Sequence, residues 1–106
     1  MAKRTFTLRV GLGGQISNKI VWDARDTAGE SIVRMMADDL IGYAQIKADE
    51  CDCTFDVSID DGNHELLFMG KPHSDRLQVK LDGEDTDKFY GYDRFRTVAE
   101  FIGYEM

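Results

Sequence analysis

The residues best suited to chemistry are the thiols of Cys51 and Cys53 and the imidazoles of His64 and His73. Thiolates and imidazoles bind zinc, but a structural site takes four such ligands, and its paired cysteines usually stand two to four residues apart. Here one residue separates them, and only the two histidines remain as further ligands. Cys51, Cys53, Phe55, Val57 and Ile59 alternate with Asp52, Thr54, Asp56, Ser58 and Asp60. A period of two predicts a strand from Cys51 to Asp60 with both thiols on its apolar face, as buried core cysteines. No metal and no cofactor is expected.

Other motifs fail on spacing. Gly11-Leu-Gly13-Gly14 is followed by Ile16 where a dinucleotide-binding turn needs its third glycine, and a strand follows instead of a helix. Gly70-Lys71-Pro72 lacks the hydroxyl residue and the spacing of a phosphate loop. His73-Ser74-Asp75 are neighbours in sequence, whereas catalytic triads are assembled across space. The Asp/Gly loops around Gly62 and Gly83 lack the alternate-position oxygen ligands of a calcium loop. These readings together predict a protein that is not an enzyme.

The acids are more informative. Asp52, Asp56 and Asp60 fall on one side of the predicted strand, with Asp61 at its end and Glu65 available from the next strand. Four-residue spacing separates successive aspartates by about 13 Å, sparser than the ~3.4 Å rise between phosphates of one DNA strand. Such an array suits part of a basic groove on a partner, and serves equally as a solvated face that discourages aggregation.

A second candidate is Lys88-Phe-Tyr-Gly-Tyr-Asp-Arg-Phe95. At Lys88, Tyr90, Gly91, Tyr92 and Phe95 it resembles the ribonucleoprotein signature of RNA-recognition motifs. It departs at Phe89, where that signature has glycine, and at Asp93, where it has an aliphatic residue. The resemblance implies base stacking on the aromatics. The residue types also make Tyr90, Tyr92 and Arg94 anchors for a protein interface.

Net charge is −7 and uneven. Residues 1–22 hold Lys3, Arg4, Arg9 and Lys19 and no acid, giving +4, while residues 23–106 hold 20 acids against 9 bases, giving −11. A negative field of this size disfavours nucleic acid and anionic membranes and favours basic partners. The basic start has no apolar run behind it, so no signal peptide is expected, and the longest purely apolar run, Leu66 to Met69, is far short of a membrane span. A reduced, cytoplasmic protein is expected.

The positioning elements follow from periodicity. Phe6, Leu8, Val10 and Leu12 define a strand, and Gly13-Gly14 turns it into a second from Asn18 to Asp23. Thr27 with Glu30 has the form of a capping box for a helix reaching about Ala48. Ile32, Val33, Met36, Ala37, Leu40, Ile41 and Ala44 form its core stripe, and Met35 fills the core or its edge. After the strand ending at Asp60, Asp61-Gly62 predicts a hairpin turn into His64 to Met69. Arg76 to Leu81 is the next strand, 82–87 a loop, Lys88 to Tyr92 a last short strand, and Asp93 caps a helix ending near Gly103. The 106 residues make one domain, 1–106, of the α+β class: a mostly antiparallel sheet in the order ββα-βββ(β)-α, with two helices on one face as a two-layer sandwich. The hairpin, the Thr-led helix and Leu66 to Lys71 also resemble the β-grasp, from which the strand at 51–60 and the C-terminal helix depart.

The expected function is a non-enzymatic protein-binding module, an inhibitor or regulator of a nucleic-acid-handling protein that shows it an acidic, nucleic-acid-like surface, by analogy with phage anti-defence inhibitors. The partner is then a protein with a basic surface, and a homodimer is compatible with the sequence. The alternative is single-stranded nucleic-acid binding through Tyr90, Tyr92 and the basic N-terminus. An enzyme with a site composed across subunits is a third class, motivated only by the abundance of carboxylates.

Overall fold

The computed structural model describes residues 4–74, 76–89 and 94–103. The elements are β1 (Arg4–Leu12), β2 (Gln15–Ala24), α1 (Thr27–Cys51), β3 (Phe55–Asp60), β4 (Glu65–Gly70), β5 (Leu77–Leu81), β6 (Glu84–Phe89) and α2 (Arg94–Gly103). The strands form one six-stranded antiparallel sheet in the order β2-β1-β3-β4-β5-β6. β3 to β6 form an antiparallel meander joined to the β1–β2 hairpin through β1 and β3.

Side chains of alternate residues line the core. Register stacks Val10, Val57, Phe68 and Val79 in one row and Leu8, Ile59 and Leu66 in the next, all buried. α1 lies across β1, β2 and β3, presenting Val33, Ala37, Ile41, Ala44 and Ala48 to that face. The small alanines let the helix sit close to the sheet. α2 packs against α1 and adds Val98, Phe101 and Ile102 to the same core.

The strands are joined by tight turns. Gly13 and Gly14 both have positive φ, at 59° and 84°, the pair of values a two-residue hairpin matched to strand twist requires. Asp82 and Gly83 repeat the pattern at 53° and 85°, so β6 begins at Glu84 and the predicted loop at 82–87 is a turn followed by strand. Glu84-Asp85-Thr86-Asp87 carries no apolar alternation, which is why periodicity hid the strand, and Glu84 and Asp85 are exposed. The carboxylate of Asp82 accepts from Glu65 N–H at 2.9 Å and stands 2.7 Å from His64 Nδ1. These contacts, the Glu65 N–H first, hold its pKa below the ordinary carboxylate value.

The start of α1 differs from the predicted capping box. Asp26 is the N-cap, with Oδ1 accepting from Gly29 N–H at 2.8 Å, and Thr27 is the first helical residue. Glu30 turns inward to Arg4 instead of back to the cap. Asp26→Ala should therefore lower stability by about 1 kcal/mol, whereas the capping-box reading predicts little change at this position. Urea denaturation of the two proteins measures it.

Candidate functional site

Helix α1 continues to Cys51, three residues beyond the predicted end, and this changes the candidate acidic face. Asp52 is its C-cap in the left-handed conformation, φ 57° and ψ 40°, with its N–H donating to Ala48 O. It therefore does not lie on a strand beside Asp56 and Asp60. Its side chain is 80% exposed and meets His73 Nε2 at 3.1 Å. The thiols are displaced from the core for the same reason: Cys51 is exposed and Cys53 half-buried. Desolvation and the neighbouring Cys51 push the Cys53 thiol up, which lowers its thiolate fraction at neutral pH. Helical periodicity was able to run on through Asp49-Glu50-Cys51, and aspartate tolerates the left-handed cap.

Asp56 and Asp60 do share the face of the sheet away from α1. Register places Gly11, Asp56, Met69 and Gln78 in one row, Arg9, Ser58, Leu67 and Lys80 in the next, and Thr7, Asp60 and Glu65 in the third. The row between the two aspartates thus carries Arg9 and Lys80. Arg9 Nη2 lies 3.4 Å from Glu65 Oε2. Asp60 Oδ1 accepts from Gly62 N–H at 2.7 Å, shaping the turn. Asp61 is enclosed: Oδ1 accepts from Asn63 and His64 N–H at 2.9 and 2.8 Å, and Oδ2 meets Arg4 at 3.1 Å. Desolvation raises its pKa, but the His64 and Asn63 N–H groups and the Arg4 guanidinium outweigh that and hold it below the ordinary value. Of the five acids, the structure brings Asp56, Asp60 and Glu65 together on a face of mixed sign. Tyr90 and Tyr92 lie outside the described residues, and Arg94 opens α2.

An open depression of about 530 Å³ lies at one end of this face, lined by Asp56, Met69, Lys71, Arg76, Gln78 and Thr54 among others. The loop 71–74 beside it is fastened to the end of α1. Gln45 Nε2 donates to Lys71 O at 3.1 Å, and His73 N–H donates to Asp49 Oδ1 at 2.6 Å. That N–H, together with Gln45, lowers the Asp49 pKa. His73 itself has positive φ, 61°, and its ring turns to Asp52. Among the described residues, no group of three or more His, Cys, Asp or Glu is placed to hold a metal ion. Among them also, no helix is long and apolar enough to cross a membrane.

The feature that sequence reasoning missed is the outer ridge of α1. Ile32, Met35, Tyr43 and Ile46 are 40, 60, 40 and 60% exposed. At 100° per residue they project to one side with Asp39 and Glu50, opposite the buried Val33, Ala37 and Ile41. Ile32 and Met35 are thus on the surface and not in the core. The signal was a surplus: α1 carries more large apolar residues than one core stripe can use. The ridge runs toward Asp49, Glu50 and Asp52, with no base in the last turn of the helix. The negative end of the helix dipole adds to those carboxylates.

Comparison of the chain with protein-family models, with curated proteins and with solved structures finds no match.

Proposed function

We propose that this chain is a non-enzymatic protein-binding module that docks the outer ridge of α1 into an apolar groove with a basic rim on its partner. The observation that carries this reading is the alignment of Ile32, Met35, Tyr43 and Ile46, each at least 40% exposed, on one side of one helix. Scattered apolar side chains are ordinary on a surface, but an aligned set at helical spacing matches the way amphipathic helices fill grooves. The acids at the end of the ridge select a basic partner and speed encounter. In this reading both helices form a second layer on one face of the sheet, and the ridge is that layer's outward side. A nucleic-acid-handling protein offers the required basic surface, so inhibition by occupying it, in the phage anti-defence manner, is the regulatory form of the proposal. The mixed-sign sheet face around Asp56 and Asp60 is secondary to the ridge.

Paired affinity capture tests the proposal. Met35→Glu/Ile46→Glu should lose a stoichiometric partner that binds the unaltered chain, at a cost of at least ~100-fold in affinity for two buried anchors. Asp56→Lys/Asp60→Lys should change affinity less than ~10-fold. The reverse ranking would return the acidic strand face to first place. Saturable binding of a labelled single-stranded oligonucleotide at low salt, insensitive to the ridge variants, would replace both with the nucleic-acid reading.

A further inference from the structure

The two edges of the sheet differ in charge. β6 carries Glu84, Asp85 and Asp87 against Lys88, and like charges along an edge discourage strand pairing. β2 carries one base, Lys19, and one acid, Asp23, over ten residues without proline. Its irregularity lies near the hairpin turn, where Val10 faces Asn18 and Gly11 faces Ile16, and Asn18 to Ala24 run in unbroken register.

Backbone phase shows which residues serve this edge. Gly13 N–H donates to Thr54 O at 2.9 Å, in line with the register that sets Gly11 opposite Asp56. Residues of an antiparallel strand turn their backbone groups alternately to one neighbour and the other. Odd residues of β1 therefore serve β3, and even ones serve β2. Ile20 and Trp22, opposite Leu8 and Phe6, use their groups inside the sheet. Lys19, Val21 and Asp23 turn theirs to the open edge.

We infer that the chain self-associates by antiparallel pairing of β2 with β2 of a second copy, about a two-fold axis at Val21. Residues equidistant from the axis then face each other. Val21, 59% exposed, meets its own copy. Lys19 meets Asp23 on both sides of it, on the same face of the sheet. Ile20 meets Trp22 on the other face. The neighbouring in-phase registers, centred on Ile20 or Trp22, set Val21 opposite Lys19 or Asp23 and form no Lys19–Asp23 pair, and those centred on Lys19 or Asp23 set like charges opposite. One oxygen of Asp23 accepts from Thr5 Oγ1 at 2.8 Å, and the second is available to Lys19 of the other copy. The pairing also uses the basic part of a chain of net charge −7, where repulsion between copies is weakest. The contact does not involve the α1 ridge.

Sedimentation velocity over a concentration series tests the inference. Strand pairing of this length buries less than the ~800 Å² per partner of a standard interface. Mass should therefore rise from 12.0 kDa toward twice that value with a dissociation constant in the ~micromolar range. Val21→Pro removes an outward N–H that the chain's own ladder does not use, and should abolish the dimer while leaving the fold intact. Lys19→Asp should weaken it about tenfold, and Lys19→Asp/Asp23→Lys should restore it to within about threefold. The swap decides the matter if the proline variant does not fold. A mass of 12.0 kDa at every concentration would overturn the inference. So would a dimer that survives Val21→Pro and Lys19→Asp, or one lost in Met35→Glu/Ile46→Glu instead. Loss of partner capture with the dimer intact bears only on the ridge.

Discussion

Replacing Arg4 by alanine should cost the fold about 3 kcal/mol, read as a fall in the urea midpoint. The guanidinium joins four parts of the molecule that are distant in sequence. Nη1 meets Glu30 Oε2 at 3.2 Å and donates to Ile102 O at 2.6 Å, and Nη2 meets Asp61 Oδ2 at 3.1 Å. Its carbon also lies 4.9 Å from the centroid of the Phe6 ring. β1, the first turn of α1, the β3–β4 turn and the end of α2 are thus held by one side chain. Glu30 is 5% exposed, and the Asp61 side chain is equally enclosed. Removing Arg4 strands the desolvated carboxylate of Glu30 and leaves Asp61 with its backbone N–H donors but no opposite charge, and that penalty dominates the loss because a buried charge without its counter-charge is costly in a low-dielectric setting.

Two further measurements separate this account from simple loss of packing. Arg4→Ala/Glu30→Gln removes one stranded charge and should recover about 1 kcal/mol or more relative to Arg4→Ala. Arg4→Lys should recover little, since an ammonium cannot present the guanidinium fork to two acids and a carbonyl. Acid dependence gives the third readout. The folded-state pKa of Asp61 is lowered, so its contribution is fully present above the unfolded value and is lost as pH falls through the folded one, below about pH 4. Arg4→Ala removes part of that depression and should move acid unfolding to higher pH. A variant that loses less than ~1 kcal/mol and keeps the acid limb of the parent would show that water already screens these pairs.

Much of the sheet was legible because period two survives wherever one face is buried. Phe6 to Leu12, Phe55 to Ile59 and Leu77 to Val79 show it plainly, and all are strand. Elements failed where local signals compete. Cys51 to Asp60 alternates as a strand, yet its first residue completes a helix whose cap at Asp52 needs only a residue tolerant of positive φ. The choice was made by α1 packing on the sheet, which carries no local mark. Thr27 and Asp26 are both good caps, and the buried pairing of Glu30 with Arg4, 26 residues away, shows why Glu30 does not reach back to the cap. For the candidate site, alternation placed Asp56 and Asp60 on a common face. It could not place Arg9 and Lys80 in the row between them, since cross-strand register belongs to the whole sheet. The α1 ridge escaped because an apolar stripe wide enough to take in Ile32 leaves Met35 as a filler at its edge, although 100° per residue sets Met35 opposite Val33 and Ala37.

Gly70→Ala should destabilise the protein by roughly 2 kcal/mol, a small-to-large change in a closed space. Gly70 is buried in β4 between Phe55 of β3 and Leu77 of β5. A Cβ built there would overlap the Phe55 ring at Cε1 and Cζ. A ring edge at the surface would swing aside at little cost. Phe55 is 3% exposed and belongs to the packed core, so it can move only by displacing its neighbours. The opposing effect is real, because alanine in place of a strand glycine narrows the unfolded ensemble and is worth about 0.4–1 kcal/mol where the backbone permits it. At Gly70, which is not among the positive-φ glycines, the backbone does permit it. The sign of the change therefore reports directly on the ring. Phe55→Leu/Gly70→Ala should be more stable than the sum of its parts predicts, by about 1 kcal/mol or more, because the shorter side chain vacates the overlapped volume. A neutral or stabilising Gly70→Ala would mean that Phe55 does not rest on Gly70. The floor of the depression beside Asp56, to which both residues contribute, would then have a different shape.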